Sequence, residues 1–340
     1  MVRRLAAAAV LLVAAGAAQL LAGRGLGPGE VWAVLAGQET DPTTRHIVWE
    51  LRVPRVLVSL AAGACLGVSG LLLQAALRNP LAAPEVTGIG SGAVLGAVAG
   101  LHFGWVEGLS PFSVVLAACA GGVLGGGLLW LLTGAGHAEP AWLAVYGVLT
   151  SAALSGVTAL LLVLDPDRIG GALVWLIGSV NGRAWLHWHL IWPWGLAWLT
   201  LAWLLSAVAN VLQCGDDQAA VLGLPPGRAR PAVLGCAVAL AAGAVAVVGA
   251  VGFLGLLVPH LARTLAGADL RRAVPLCATA GAVALSAADT IAQLVTRVAP
   301  WTPAGERFAM PAGAVTALAG ALLLVLFARR GREFDPGCSR

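Results

Sequence analysis

Residues 56–92 read VLVSLAAGACLGVSGLLLQAALRNPLAAPEVTGIGSG, and the fold turns on how they are read. The first part, 56–77, carries no charged residue. As a helix it reaches across a hydrocarbon layer about 30 Å thick, which takes about 20 residues. The next eight, Arg78-Asn79-Pro80-Leu81-Ala82-Ala83-Pro84-Glu85, cannot continue that helix, because Pro80 and Pro84 each lack the amide donor it needs. Gly88, Gly90 and Gly92 then interrupt the apolar pattern as a second run begins. A spanning run, a break and another apolar run predict an all-α, polytopic membrane protein. The break reads either as an ordinary loop or as a packed, partly inserted connection. Irregular backbone is tolerated at membrane depth only inside protein or beside water, and the apolar residues within this segment favour packing.

The rest of the chain extends the pattern. With 59% apolar and 11% charged residues in 340, and a mean hydropathy of +0.89, it lies far from soluble domains, which carry about 25% charge. The uncharged apolar runs give ten predicted spans: 5–22, 56–77, 86–101, 112–133, 141–164, 190–212, 231–250, 252–266, 273–293 and 308–328. The chain is therefore expected to be a single transmembrane domain, 1–340, with a turn around Gly249 to Gly252 dividing the uncharged stretch 231–262. The first run also has the look of a leader peptide, since Arg3 and Arg4 precede it, but its length favours a retained span.

All 20 basic residues are arginine. An even span count puts both termini on one side, together with Arg3, Arg4, Arg78, Arg228, Arg230, Arg263, Arg271, Arg272, Arg329, Arg330, Arg332 and Arg340. That majority predicts cytoplasmic termini in a cell inner or plasma membrane. The net charge of +4 is thus read as membrane orientation, with no nucleic acid as partner. Tryptophans at 32, 49, 105, 175, 185, 188, 192, 194 and 301 fall near predicted outer boundaries and read as an interfacial belt, with ligand stacking the rarer alternative. The six cysteines show no metal-ligand spacing and read as small hydrophobes. His187 and His189 lack a third ligand, so no metal site and no membrane-embedded enzyme is expected.

Three further segments carry candidate functions. Gly252-Phe253-Leu254-Gly255-Leu256-Leu257-Val258-Pro259-His260 is a second break, where Gly252 and Gly255 permit close helix approach and Pro259 removes a donor. His260 reads more readily as a packing residue than as a proton relay. Residues 213–230 form the largest polar insertion on the cytoplasmic side. Asp216 and Asp217 would sit at a short helix's N-terminus, where acid is favoured, and Ala219, Ala220 and Leu222 before Gly223 would supply a compact apolar docking face. On the opposite side, Arg52-Val53-Pro54-Arg55 presents two cations stiffened by a proline. They read equally as a docking point for carboxylates and as anchors at a helix end. A proton-coupled transporter is the main rival, yet Asp289 is the only acid within a predicted span.

Together these blocks resemble the FecCD family, the membrane subunits of type II ABC importers for iron siderophores, haem and cobalamin. The collinear matches are Arg52-Val53-Pro54-Arg55, Gly63 through Gly70 with Gln74, Arg78-Asn79-Pro80-Leu81-Ala82 and Gly88-Ile89-Gly90-Ser91-Gly92-Ala93. They continue through Ala219-Ala220-Val221-Leu222-Gly223, Gly252-Phe253-Leu254-Gly255-Leu256, Val258-Pro259-His260, Ala288-Asp289 and Pro311-Ala312-Gly313-Ala314-Val315-Thr316-Ala317. The resemblance implies ten helices per subunit, a second permease subunit (a homodimer) around a central path, and two cytoplasmic ATP-binding subunits that hold ATP and Mg²⁺. No cofactor is implied in this chain. It also implies an extracytoplasmic solute-binding protein docking at Arg52 and Arg55, coupling through residues 213–230, and a path formed around Asn79, Pro80, Gly88, Gly90, Gly92, Gly252, Gly255, Pro259 and His260. The implied cargo is an iron chelate, siderophore or haem, with cobalamin as the alternative. Two departures stand out. A family arginine four residues after Asp289 is Gln293 here, leaving Arg297 or Arg307 to stand in for it, and Met310-Pro311 replaces a Glu-Leu-Pro.

Overall fold

The structure is a computed structural model that describes residues 2–23, 25–38, 41–105, 111–132, 140–164, 176–298 and 309–329. Among the described residues it is helical with no strand. The elements are α1 (Val2–Ala22), α2 (Pro28–Leu35), α3 (Pro42–His46), a π-helical turn (Ile47–Arg52) and α4 (Val53–Ala76). After a 3₁₀ turn (Pro84–Val86) come α5 (Ile89–His102), α6 (Pro111–Leu132), α7 (Pro140–Leu164) and α8 (Trp185–Leu212). Then follow α9 (Asp216–Val221), α10 (Pro226–Val248), α11 (Leu254–Ala266), α12 (Leu270–Val298) and α13 (Ala312–Arg329). Among the described residues six helices are long and apolar enough to cross a membrane, and four shorter apolar ones lie at Ala6–Ala22, Ile89–His102, Leu254–Ala266 and Ala312–Leu323.

Local chemistry sets the boundaries. Pro226 starts α10, in a first turn whose amides have no intrahelical acceptor, whereas Pro54 falls where the π-helical turn runs on into α4, the Val53 amide there bonding the Val48 carbonyl. The second uncharged stretch divides as its glycines suggest: α10 stops at Gly249, with φ of 80°, and α11 begins after Phe253, whose φ of 65° is left-handed. Two predicted spans start about five residues early: the helix expected at 190 begins at Trp185, and the one expected at 231 begins at Pro226, with Pro231 inside it.

The centre of the bundle is α4. Its residues Val58, Ala62, Cys65, Leu66, Leu71 and Leu72 are buried, and α8, α10, α11 and α12 surround it. Small residues make this possible, since lipid offers no hydrophobic drive between helices and packing must do the work. A Cβ on Gly63 would strike the Gly281 carbonyl of α12, and one on Gly70 would strike the Gly255 backbone of α11. Cys65, Cys236 and Cys277 are buried and unpaired, as small hydrophobes are. By contrast α7 keeps Val145, Val148, Leu149, Val157, Leu160 and Val163 exposed, an apolar face turned to lipid or to another subunit. The segment that resembled a leader is built into the core, because Gln19 of α1 bonds Asp289 of α12 at 2.7 Å and meets Ser59 of α4 at 2.7 Å.

The two sequence breaks meet in space. Pro84 packs where a side chain on Gly255 would stand, and Gln74 donates to the Leu256 carbonyl at 3.3 Å. Ala82, Ala83 and Pro84 are buried while Leu81 is exposed, so the first break is a packed connection and not a solvated loop. The Asn79 side chain closes it by accepting from the Leu81 amide at 2.9 Å.

Candidate functional site

At one end of the bundle, cations collect where α1 and α12 end and α4 begins. Arg55 grips Asp289 with two parallel bonds, Nε to Oδ2 and Nη2 to Oδ1, both 2.8 Å, while its Nη1 donates to Asn181 at 3.0 Å. Asp289 has no exposed surface. It also accepts from Gln19 at 2.7 Å and from Gln293 at 2.8 Å. This bidentate pair in a poorly hydrated setting holds three helices in register. Arg52 turns the other way, donating to the Leu20 carbonyl at 2.9 Å beneath the end of α1, and Arg297 donates to the neighbouring Gly23 carbonyl at 3.2 Å.

These groups border a cavity of about 400 Å³ walled by Gln19, Arg52, Arg55, Asn181, Arg183 and Gln293. Arg183, which sequence reasoning passed over, lies in the loop before α8, and burial lowers it to about 10, so it stays cationic at neutral pH. It lies 3.4 Å from the His187 ring, and His189 instead contacts the Trp185 carbonyl at 2.6 Å. The two histidines therefore serve the start of α8, and among the described residues no trio of His, Cys, Asp or Glu could hold a metal. Arg307, with the rest of 299–308, lies outside the described residues. The structure thus brings Arg52, Arg55 and Arg297 to one mouth, all three bonded within the chain, Arg55 to a carboxylate and the other two to backbone carbonyls.

At the opposite end, α9 is stapled to the bundle. Asp216 is gripped by both terminal nitrogens of Arg230, Nη1 at 3.1 Å, and stands 3.8 Å from Arg78 at the end of α4. Arg230 also donates to the Ala76 carbonyl at 3.0 Å. The expected apolar docking face needs one correction. Ala219 points inward and is wholly buried, whereas Ala220, Gly223, Val221 (87% exposed) and Leu222 (71% exposed) face out. A six-residue helix must turn one side to its own bundle, and Ala219 is on that side. Asp217 is exposed beside the apolar pair. Nearby, Asn210 holds Asp269 at 2.9 Å, a bond that, with the Arg271 amide, keeps the carboxyl below its ordinary range.

Other sequence candidates separate by role. Gly88 adopts φ of 79° to start α5, and Gly92 lies against Gly121 of α6, so Gly92 serves helix packing. Gly90 faces the Glu85 backbone, while Gly252 has open space about it. His260 sits half-buried on α11 next to buried Pro259. Trp194 leaves the interfacial belt: its indole donates to the Ala239 carbonyl at 2.9 Å and covers Gly243 of α10. Trp175 and Trp301 lie outside the described residues.

Comparison with known proteins converges on one family. The model of the FecCD transport family matches residues 10–330. The Fe(3+) dicitrate transport system permease protein FecD of Escherichia coli is 34% identical over 312 residues, covering 92% of this chain and 94% of its own. The cobalamin import system permease protein BtuC of Halobacterium salinarum is 34% identical over 292 residues, covering 86% of this chain and 75% of its own. Among solved structures, an inward-facing metal-chelate type ABC transporter superposes with a TM-score of 0.81 at 26% identity, over 97% of this chain and 100% of the other. The fold is that of a type II ABC importer permease, and the molecule is a multi-pass transport component rather than an enzyme. The chain belongs to the FecCD transport family.

Proposed function

We propose that this permease carries an iron chelate, a siderophore or haem, across the cell inner membrane as the spanning subunit of an ATP-driven importer. It pairs with a second copy of itself, receives cargo from an extracytoplasmic solute-binding protein at the arginine mouth, and is driven by two cytoplasmic subunits that bind ATP and Mg²⁺. Both termini are cytoplasmic in this reading, and the chain itself holds no cofactor. Cobalamin is the second reading, favoured by the likeness to an archaeal permease that imports it. Family membership sets the proton-coupled transporter aside.

The observation that carries the proposal is the construction of α9. Val221 and Leu222 are presented outward on a short helix that Asp216 ties rigidly to α10 and to the end of α4. A push on that apolar pair passes directly into the central helix. Closure of the ATP-binding subunits would tilt helices and let cargo through a path of small, weakly interacting walls, so release follows from geometry. The test is Val221→Asp with Leu222→Asp in the reconstituted importer. ATP hydrolysis is expected to persist while uptake per ATP falls at least about tenfold, as loss of a buried interface anchor does. Uptake coupled as in the parent would refute it.

A further inference from the structure

A second cavity, of about 180 Å³, lies where the two broken segments converge, lined by Glu85, Ser91, Ser151, Ser155, Thr158 and Val251 among others. Both carboxyl oxygens of Glu85 are sequestered from solvent, and among the described residues no cation and no well-aligned hydrogen-bond donor reaches them, the backbone amides of Glu85 and Phe253 being the polar groups that face them. Among the described residues lining the space, Glu85 is the only titratable one. An unpaired carboxylate out of water is costly, and an ionisable group at membrane depth marks a working site more often than a structural one.

Donor and acceptor accounting says what would relieve it. Ser91 spends its proton on the Gly88 carbonyl at 3.3 Å, Ser151 on the Glu85 carbonyl at 3.1 Å and Thr158 on the Leu154 carbonyl at 2.9 Å. Each hydroxyl is left with acceptor lone pairs, Ser151 giving one of its own to the Gly88 amide at 2.9 Å. Ser151, Ser155 and Thr158 fall on one face of α7 at helical spacing. The cavity is thus walled by oxygen acceptors around one carboxylate. Unwound backbone at the join of broken helices is where small cations are held in other transport folds.

We propose that this cavity is a binding site for a small monovalent cation, ligated by the Glu85 carboxylate and the hydroxyl oxygens of Ser91, Ser155 and Thr158. A single carboxylate balances one positive charge, whereas divalent sites draw on more acid or on tight octahedral geometry. The space accommodates an ion with several waters, each filling about 30 Å³ of liquid. The cation is either a free alkali ion or a primary ammonium borne on cargo. The site stands apart from α9 and from the arginine mouth, so its test does not depend on the transport reading.

The full chain in lipid nanodiscs, in choline buffer, is titrated with radioactive sodium and separately with radiolabelled methylammonium. Saturable sodium binding identifies an alkali site, and saturable methylammonium binding without sodium identifies an ammonium site; either supports the proposal. Glu85→Gln, which preserves shape, is expected to weaken that binding at least about tenfold, because the charge supplies most of the attraction. Ser155→Ala is expected to weaken it by a smaller factor. Absence of saturable binding of both probes, or wild-type binding by Glu85→Gln, overturns the proposal. If Glu85→Gln does not assemble, carbodiimide labelling of Glu85 in the parent chain decides instead. Protection by the cation supports the site, and labelling indifferent to it overturns the site.

Discussion

Replacing Asp289 by Asn isolates what holds the arginine mouth together. The substitution keeps the size of the side chain and removes its charge, leaving Arg55, with 19% of its side chain exposed, without an ionic partner. Breaking a buried pair by removing one member costs about 3–5 kcal/mol. The arginine borders a cavity that water can enter, so the lower figure, about 3 kcal/mol, is the one expected here. Two bonds from Arg55 and those from Gln19 and Gln293 converge on the carboxylate, and an amide cannot accept them all. In nanodiscs, with unfolding followed by tryptophan fluorescence, the midpoint should fall by about 5 °C. Arg55→Gln alone should cost a similar amount, by exposing Asp289 to the same uncompensated burial. The double replacement should cost less than the sum, with a coupling of about 1–3 kcal/mol. Additive losses, or an Asp289→Asn change under about 0.5 kcal/mol, would refute the assignment of this pair as the clasp between α4 and α12.

Arg52→Glu with Arg55→Glu should weaken docking of the solute-binding protein at low salt by about tenfold or more, as reversed interfacial charges do, and unchanged affinity in a surface-binding assay would remove the docking role. Gly281→Leu should cost several kcal/mol, on the scale of about 3 or more for core overpacking against backbone, whereas Gly127→Ala, with open space around it, should be close to neutral; similar thermal midpoints would contradict the packing of α12 on α4. For Asp269 the folded carboxyl is depressed, so its contribution is present above the ordinary aspartate range and lost as pH falls through the lowered folded value. Asp269→Asn should therefore flatten the acid limb of the stability profile, and an unchanged limb would count against the Asn210 tether.

How far the fold could be read from residues alone differs by kind of interaction. The span at 56–77 and the breaks after it are legible because bilayer thickness and proline chemistry act on contiguous sequence. Gly249 likewise marks the end of α10 by needing positive φ. What stays hidden is pairing across the chain. Nothing near Arg55 announces that Asp289 will face it, since the two are separated by more than two hundred residues and each reads singly as a charge near a membrane boundary. A weak signal existed: a lone acid inside an apolar span needs a partner, and the cations at 52 and 55 stand near the same membrane face. Ala219 misleads for a different reason. A helix of one and a half turns gives no periodicity from which to tell its inner side from its outer, and the side chain's size suits either.

Gln293 shows how the pairing changes the meaning of a departure from the family pattern. Taken alone, the exchange of an arginine for glutamine reads as a lost docking cation. In the structure Gln293 donates to Asp289 at 2.8 Å, so the position still supports the clasp while adding no charge to it. One carboxylate is then matched by one guanidinium, Arg55, and the pair is neutral to anything approaching that end of the bundle. Positive potential at this mouth falls to the cations that bond only to neutral oxygens in this setting. Arg297 meets that description on the exposed surface, through the Gly23 carbonyl. An incoming carboxylate would replace that single bond at Arg297, whereas at Arg55 it would have to displace a bidentate partner held by two further donors. Under the proposed docking, the exposed Arg297 is therefore the better first contact, and Arg55 the one whose engagement would loosen α4 from α12.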